Sequence, residues 1–154
     1  MKKKNKFVVI FFVLIYFQTN KISAITKTIY YSKIGNFKAL YAYPTPTKFK
    51  PSVGIIYLPD PMIDLFGVQY SKKLGYDLNK FIDEFNKWNI ETIIPLNKKN
   101  KFQSIIRAID YLNEKENISK IYIISHQNQG FLSLISSIEQ TKVSGVITIN
   151  PTHI

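Results

Sequence analysis

After Pro51 the chain alternates between two hydrophobic periods, and that alternation leaves few folds open. Four short runs, at residues 53–58, 92–94, 121–124 and 146–149, are almost wholly apolar. Strands covered on both faces of a parallel sheet have this character. Between them lie three stripes at helical spacing: Leu78, Phe81, Ile82 and Phe85, opened by Asp77 as N-cap; Phe102, Ile105, Ile106 and Ile109; and Phe131, Leu134, Ile135 and Ile138. Each stripe is read as the core-facing side of a helix. A helix between every two strands means consecutive βαβ units with right-handed crossovers, so the sequence predicts an α/β fold with a mostly parallel sheet. No internal repeat is visible.

Ahead of this series, residues 28–31 and 37–43 are β-branched and aromatic, with Gly35 and Asn36 between them, and predict an N-terminal β-hairpin. Pro44, Pro46 and Pro51 then mark an extended linker. The first 24 residues read differently. Lys2, Lys3, Lys4 and Lys6 precede an unbroken apolar run at residues 7–17, followed by a short polar stretch and Ala24. This is the order of a secretory signal peptide, predicting a leader at 1–24, a domain at 25–154 and an exported, periplasmic or secreted product. An uncleaved membrane anchor is the alternative, and the membrane enters only through this leader.

The length of 154 residues suits one domain. No cysteine and only two histidines leave no thiolate site and little material for zinc, so no metal or cofactor is expected. The net charge of +11 invites a nucleic-acid reading, but five lysines of the acid-free leader supply part of it and leave +6. Only one of the 21 basic residues, Arg107, carries the guanidinium fork that base and phosphate recognition favours. No nucleic-acid partner is expected.

In an open parallel sheet, ligands lie beyond the carboxyl ends of the strands. The most informative of those ends is the stretch Ser125, His126, Gln127, Asn128, Gln129, Gly130, between an apolar run and a helical stripe. It resembles the nucleophile elbow of the α/β-hydrolase superfamily, Gly-x-Ser-x-Gly, often with His after the first Gly and one further Gly. Ser125 then takes the first Gly position and His126 matches the frequent His. Gln127 stands at the nucleophile position, Gln129 at the second Gly, and Gly130 at the extra one. Residues 53–61 resemble the strand and oxyanion loop of that family, 88–95 the following strand, 108–112 the helix before the elbow and 145–151 the strand after it. The resemblance implies an α/β-hydrolase-like domain, incomplete at its C-terminus because the family's acid and histidine sit on later loops.

The departures from the pattern decide the expected function. A carboxamide at Gln127 has no proton to lose to a histidine, so it cannot form an acyl-enzyme. Gln129 adds bulk where glycine gives room. Pro59 and Pro61 lack the N–H groups from which oxyanion holes are built. No catalytic residue is assigned with assurance: the elbow residues Ser125, His126 and Gln127 stand as candidates, with Asp60 and His153 as an improvised acid and base for Ser125. Successive side chains at a strand end face opposite ways, which separates Ser125 from His126.

The expected function is thus an exported hydrolase-like protein without serine-hydrolase activity, a pseudoenzyme or truncated product that binds a small, apolar or ester-like molecule near Asp60, Gln127 and His153. One alternative is an active esterase on small acyl esters. Another is an interaction module, a homodimer paired through the uncovered last strand. The lysines at 98, 99 and 101 read as a solvated loop, Tyr30, Tyr31, Tyr41 and Tyr43 as strand packing, and Asn117 heads a glycosylation sequon relevant only to a eukaryotic secretory route.

Overall fold

A computed structural model of the chain describes residues 24–32, 35–45, 49–97, 99–138 and 140–150. Its elements are β1 (Ala24–Tyr30), β2 (Lys38–Pro44), β3 (Val53–Leu58), α1 (Pro61–Phe66), α2 (Val68–Lys73), α3 (Leu78–Lys87), β4 (Glu91–Pro95), α4 (Lys101–Asn113), β5 (Lys120–His126), α5 (Gln129–Ser137) and β6 (Val143–Ile149). The strands form one sheet in the order β1-β2-β4-β3-β5-β6. β2 runs antiparallel to both neighbours, whereas β4, β3, β5 and β6 are parallel.

From β3 the chain moves one way along the sheet to β4, then crosses back to β5 and on to β6. With right-handed crossovers, that reversal places α1–α3 on one face and α4 and α5 on the other. It also makes the gap between the carboxyl ends of β3 and β5 the point where connections diverge, the usual position of a ligand crevice in such sheets.

The two faces have separate cores. Ile56, Leu58, Ile93 and Ile123 pack with Ile105, Ala108, Ile109 and Leu112 of α4. Ile55, Tyr57 and Ile94 pack with Ile63 of α1 and Leu78 and Ile82 of α3. This two-sided burial explains why the central strands read as continuous apolar runs, and all five residues of β4 are buried. Asp77 caps α3 as expected, its carboxylate accepting the Asn79 N–H at 3.0 Å. The connection from β1 to β2 is wider than a turn at Gly35-Asn36: Tyr30 pairs with Lys38, and the Tyr31 N–H reaches the Phe37 carbonyl at 3.1 Å.

The helical stripes are only partly core. Leu78, Ile82, Ile105 and Ile109 are buried, but Phe81 and Phe102 lie at the surface. On α5 the expected face is reversed. Phe131, Leu134, Ile135 and Ile138 point outward, while Gln129, Gly130, Ser133 and Ser136 face the sheet. The cause is the tightness of the turn before the helix. Gly130 lies so close to β6 that a Cβ there would stand 2.5 Å from Cγ2 of Thr148. Small side chains alone fit such an approach. The Ser133 and Ser136 hydroxyls lose nothing by burial, because they donate to the Gln129 and Leu132 carbonyls one turn back, at 2.9 and 2.6 Å. Leu132 supplies the apolar contact that the outward stripe does not.

The expected leader lies outside the described residues except for Ala24, which opens β1. Among the described residues no helix is long and apolar enough to cross a membrane.

Candidate functional site

The turn after β5 takes two residues. Gln127 sits at its apex with φ of 50°, in the left-handed region, and Asn128 leads into α5. For a residue with a Cβ this conformation costs about 1–2 kcal/mol. It is held by two backbone bonds, from the Gln127 N–H to the Ile149 carbonyl at 2.9 Å and from the Gly130 N–H to the Gln127 carbonyl at 3.1 Å. The sharp, strained strand-to-helix turn is therefore present, with a carboxamide at its tip.

Ser125 and His126 diverge, as strand alternation requires. Ser125 is wholly buried, and among the described residues its hydroxyl reaches the Ile147 carbonyl alone, at 3.5 Å. His126 lies on the other face, half-buried, with Nε2 3.0 Å from the Tyr57 hydroxyl and its ring edge-on to that phenol. Burial pushes the His126 pKa below its ordinary value, opposed in part by the negative charge of Asp60. Burial also pushes the Tyr57 phenol up, and Asp60 adds to that shift.

A pH dependence follows from His126. Its folded pKa is depressed, so its contribution to stability is complete above the unfolded value near 6.5 and is lost progressively below it, as pH falls through the lower folded value. Urea melts from pH 8 to pH 5 are expected to show this decline, and His126→Asn is expected to flatten it.

Asp60 and Gln127, far apart in sequence, meet here. Asp60 is the N-cap of α1, with Oδ1 accepting the Met62 N–H at 2.8 Å, and Pro61 fills the first helical position, where an N–H is dispensable. Its other oxygen, Oδ2, accepts the Gln127 side-chain amide at 3.0 Å. Gln129, which in sequence suggested only bulk, is a strut: its amide donates to the Pro59 carbonyl at 2.6 Å, while its Oε1 is buried without a partner among the described residues. Two carboxamides, two residues apart, thus lace the elbow to the loop after β3. Glutamine at the apex and again two residues later was the available signal.

That loop is poor in donors. Pro59 and Pro61 have none, the Met62 N–H is taken by Asp60 Oδ1, and the Ile63 N–H is taken by the Asp60 carbonyl at 2.9 Å. The group aimed at the apex is instead a carboxylate. Beside it opens a cavity of about 170 Å³, whose walls include Tyr57, Asp60, Ile63, Tyr76 and Phe81. Tyr57 and Phe81 stack there, with centroids 4.7 Å apart and planes at 17°.

The structure thus brings together Asp60, Gln127 and, through Tyr57, His126. Ser125 faces away from them, and His153 lies outside the described residues. Among the described residues no group of three or more His, Cys, Asp or Glu side chains is placed to hold a metal ion. Lys98 is also outside the described residues, and Lys101 pairs with Asp64 at 2.8 Å. Asn117 is engaged by the Pro51 carbonyl and by Glu91, at 2.6 and 3.2 Å.

No family model matches the chain, and no curated protein matches it either. The fold, however, is shared with solved structures of α/β hydrolases. A protein described as a dienelactone hydrolase from Klebsiella pneumoniae subsp. pneumoniae MGH 78578 superposes with a TM-score of 0.60 over 86% of this chain, at 10% identity. An esterase from Rhizomucor miehei gives 0.55 over 84%, at 12% identity. Brefeldin A esterase, a bacterial homologue of human hormone sensitive lipase, gives 0.54 over 82%, at 10% identity. The chain spans 62%, 44% and 39% of the lengths of these three. At such identities the likeness is one of fold, and the fold is α/β-hydrolase-like.

Proposed function

We propose that this chain is a non-catalytic member of the hydrolase-fold proteins, whose crevice at the carboxyl ends of β3 and β5 holds a small molecule without cleaving it. One observation carries the reading: Gln127 occupies the strained apex, and its amide is tied to the Asp60 carboxylate. Acyl transfer there needs a nucleophile that can lose a proton and donors that meet a growing negative charge. Gln127 offers no such proton. Asp60 presents a negative charge where the oxyanion would develop, and the loop that carries it retains at most its own amide N–H as a donor.

The test is ester turnover. Purified protein is expected to hydrolyse p-nitrophenyl acetate no faster than buffer. Gln127→Ser is expected to remain equally inactive, because among the described residues no base or free donors stand beside the hydroxyl it would restore. A fluorophosphonate probe that labelled the native protein, or turnover abolished by Ser125→Ala, would establish a working hydrolase instead.

A further inference from the structure

We infer that the ligand of this site is a small organic cation, an ammonium group carried on an apolar body, seated in the cavity that Asp60 shares with Tyr57 and Phe81, on the α1 and α3 side of the crevice. The inference rests on the binding reading above and adds the charge of the ligand. Among the described residues only two carboxylates are buried, Asp60 and Glu91, at 8% and 5% exposure. They are completed differently. Glu91 has a cation, the Lys115 ammonium, 3.3 Å from its Oε2. Asp60 forms no ion pair among the described residues, and its two bonds come from neutral donors, the Met62 N–H and the Gln127 amide. A carboxylate has about four lone-pair sites, so roughly two remain open. A buried charge with only neutral partners is costly, and a counter-ion offsets that cost.

The cavity beside Asp60 suits that counter-ion. Its volume of about 170 Å³ falls below the roughly 300–1,000 Å³ of drug-sized pockets, which limits the occupant to a few heavy atoms. Tyr57 and Phe81 line the same cavity as Asp60, and aromatic rings beside a carboxylate attract alkylammonium groups, through the ring quadrupole and through charge. The cavity also contains Asp77 and Lys80. Desolvation raises the Asp77 carboxyl, but the Lys72 bond, the Asn79 N–H and the charges of Lys72 and Lys80 outweigh it and hold the group below its ordinary value. Asp77 is thereby already neutralised, its carboxylate 3.2 Å from Lys72, which leaves Asp60 as the uncompensated charge. Lys80, exposed at the mouth, opposes the ligand.

Choline and its neutral isostere 3,3-dimethylbutan-1-ol share a shape and differ in charge, so calorimetric titration of each into the whole chain at constant ionic strength separates the terms. Choline is expected to bind at least tenfold more tightly than the alcohol. Asp60→Asn retains the helix cap, since asparagine caps as well as aspartate, and is expected to erase that preference. Phe81→Leu is expected to weaken choline severalfold, and Lys80→Gln to tighten it. Equal binding of both probes, or choline binding that survives Asp60→Asn, overturns the cation inference and leaves the crevice a neutral binding site. Binding of neither probe overturns the inference together with the ligand-binding reading.

Discussion

Gly130→Val is expected to leave the chain largely unfolded at room temperature, and Gly130→Ala to cost about 1–3 kcal/mol, the usual price of overpacking a tight contact. A Cβ at this position would meet Thr148 Cγ2 at 2.5 Å and Thr148 Cβ at 3.2 Å. Neither atom is the free end of a long side chain. Thr148 is β-branched and fixed on β6, so relief requires α5 to lift from the strand. Lifting α5 also pulls on the turn, because the Gly130 N–H secures the Gln127 carbonyl. Valine adds two further methyl groups to the same gap. The loss weighs heavily against the 5–15 kcal/mol that stabilises an ordinary domain. Urea unfolding of Gly130→Ala, Thr148→Ser and the double variant, set against the native protein, forms a double-mutant cycle. The serine removes Cγ2, the nearest atom, and is expected to recover most of the loss. A neutral Gly130→Ala would mean that the close approach does not decide how α5 is seated.

That close approach also marks where sequence reading fails. The strands were legible because burial on both faces leaves an almost wholly apolar run, as in residues 53–58 and 92–94. The hairpin and the order of helices followed from period and turn residues. The orientation of α5 was not legible, because hydrophobic periodicity names the greasy face and assumes that it goes inward. Here a two-residue turn fixes the helix axis close to β6, and clearance outranks hydrophobicity. Gly130, Ser133 and Ser136 go inward because they are small. At the site, the elbow was readable from one residue-by-residue alignment, and the incompetence of Gln127 followed from its chemistry. The contact between Gln127 and Asp60 was not readable, since it joins positions 67 apart and depends on a rotamer. Nor was Gln129, whose role appears only once the loop after β3 is placed beside it. The short helices α1 and α2 lack the length on which periodicity depends.

The second large effect is expected at the opposite end of the sheet. Glu91→Ala should lower stability by about 3–5 kcal/mol, the range for removing one partner of a buried ion pair. Glu91 opens β4, and Tyr41 of β2 donates its hydroxyl to Oε2, toward which the Lys115 ammonium also points. The Asn117 amide donates to Oε1 at 3.2 Å. Lys115 also donates to the Tyr41 hydroxyl at 2.7 Å and lies over the rings of Tyr41 and Tyr111, 4.7 and 5.1 Å from their centroids. Burial first, then the bond to Glu91 and its charge, push the Tyr41 phenol up, so it remains a donor. Alanine would strand the lysine, the amide and the phenol together. Glu91→Gln retains the shape and the acceptor, and is expected to cost less. The double variant Glu91→Leu with Lys115→Met removes both charges, and is expected to recover much of the loss seen with alanine. The cluster and the crevice lie at opposite ends of β3 and β4, so Glu91→Gln should leave choline affinity unchanged while shifting the urea midpoint. Asp60→Asn should instead abolish the choline preference without lowering the urea midpoint, and is expected to raise it, because it removes an uncompensated buried charge and retains the cap. A large loss of stability in Asp60→Asn would place Asp60 with Glu91 as a structural carboxylate and remove the physical basis for a cationic ligand.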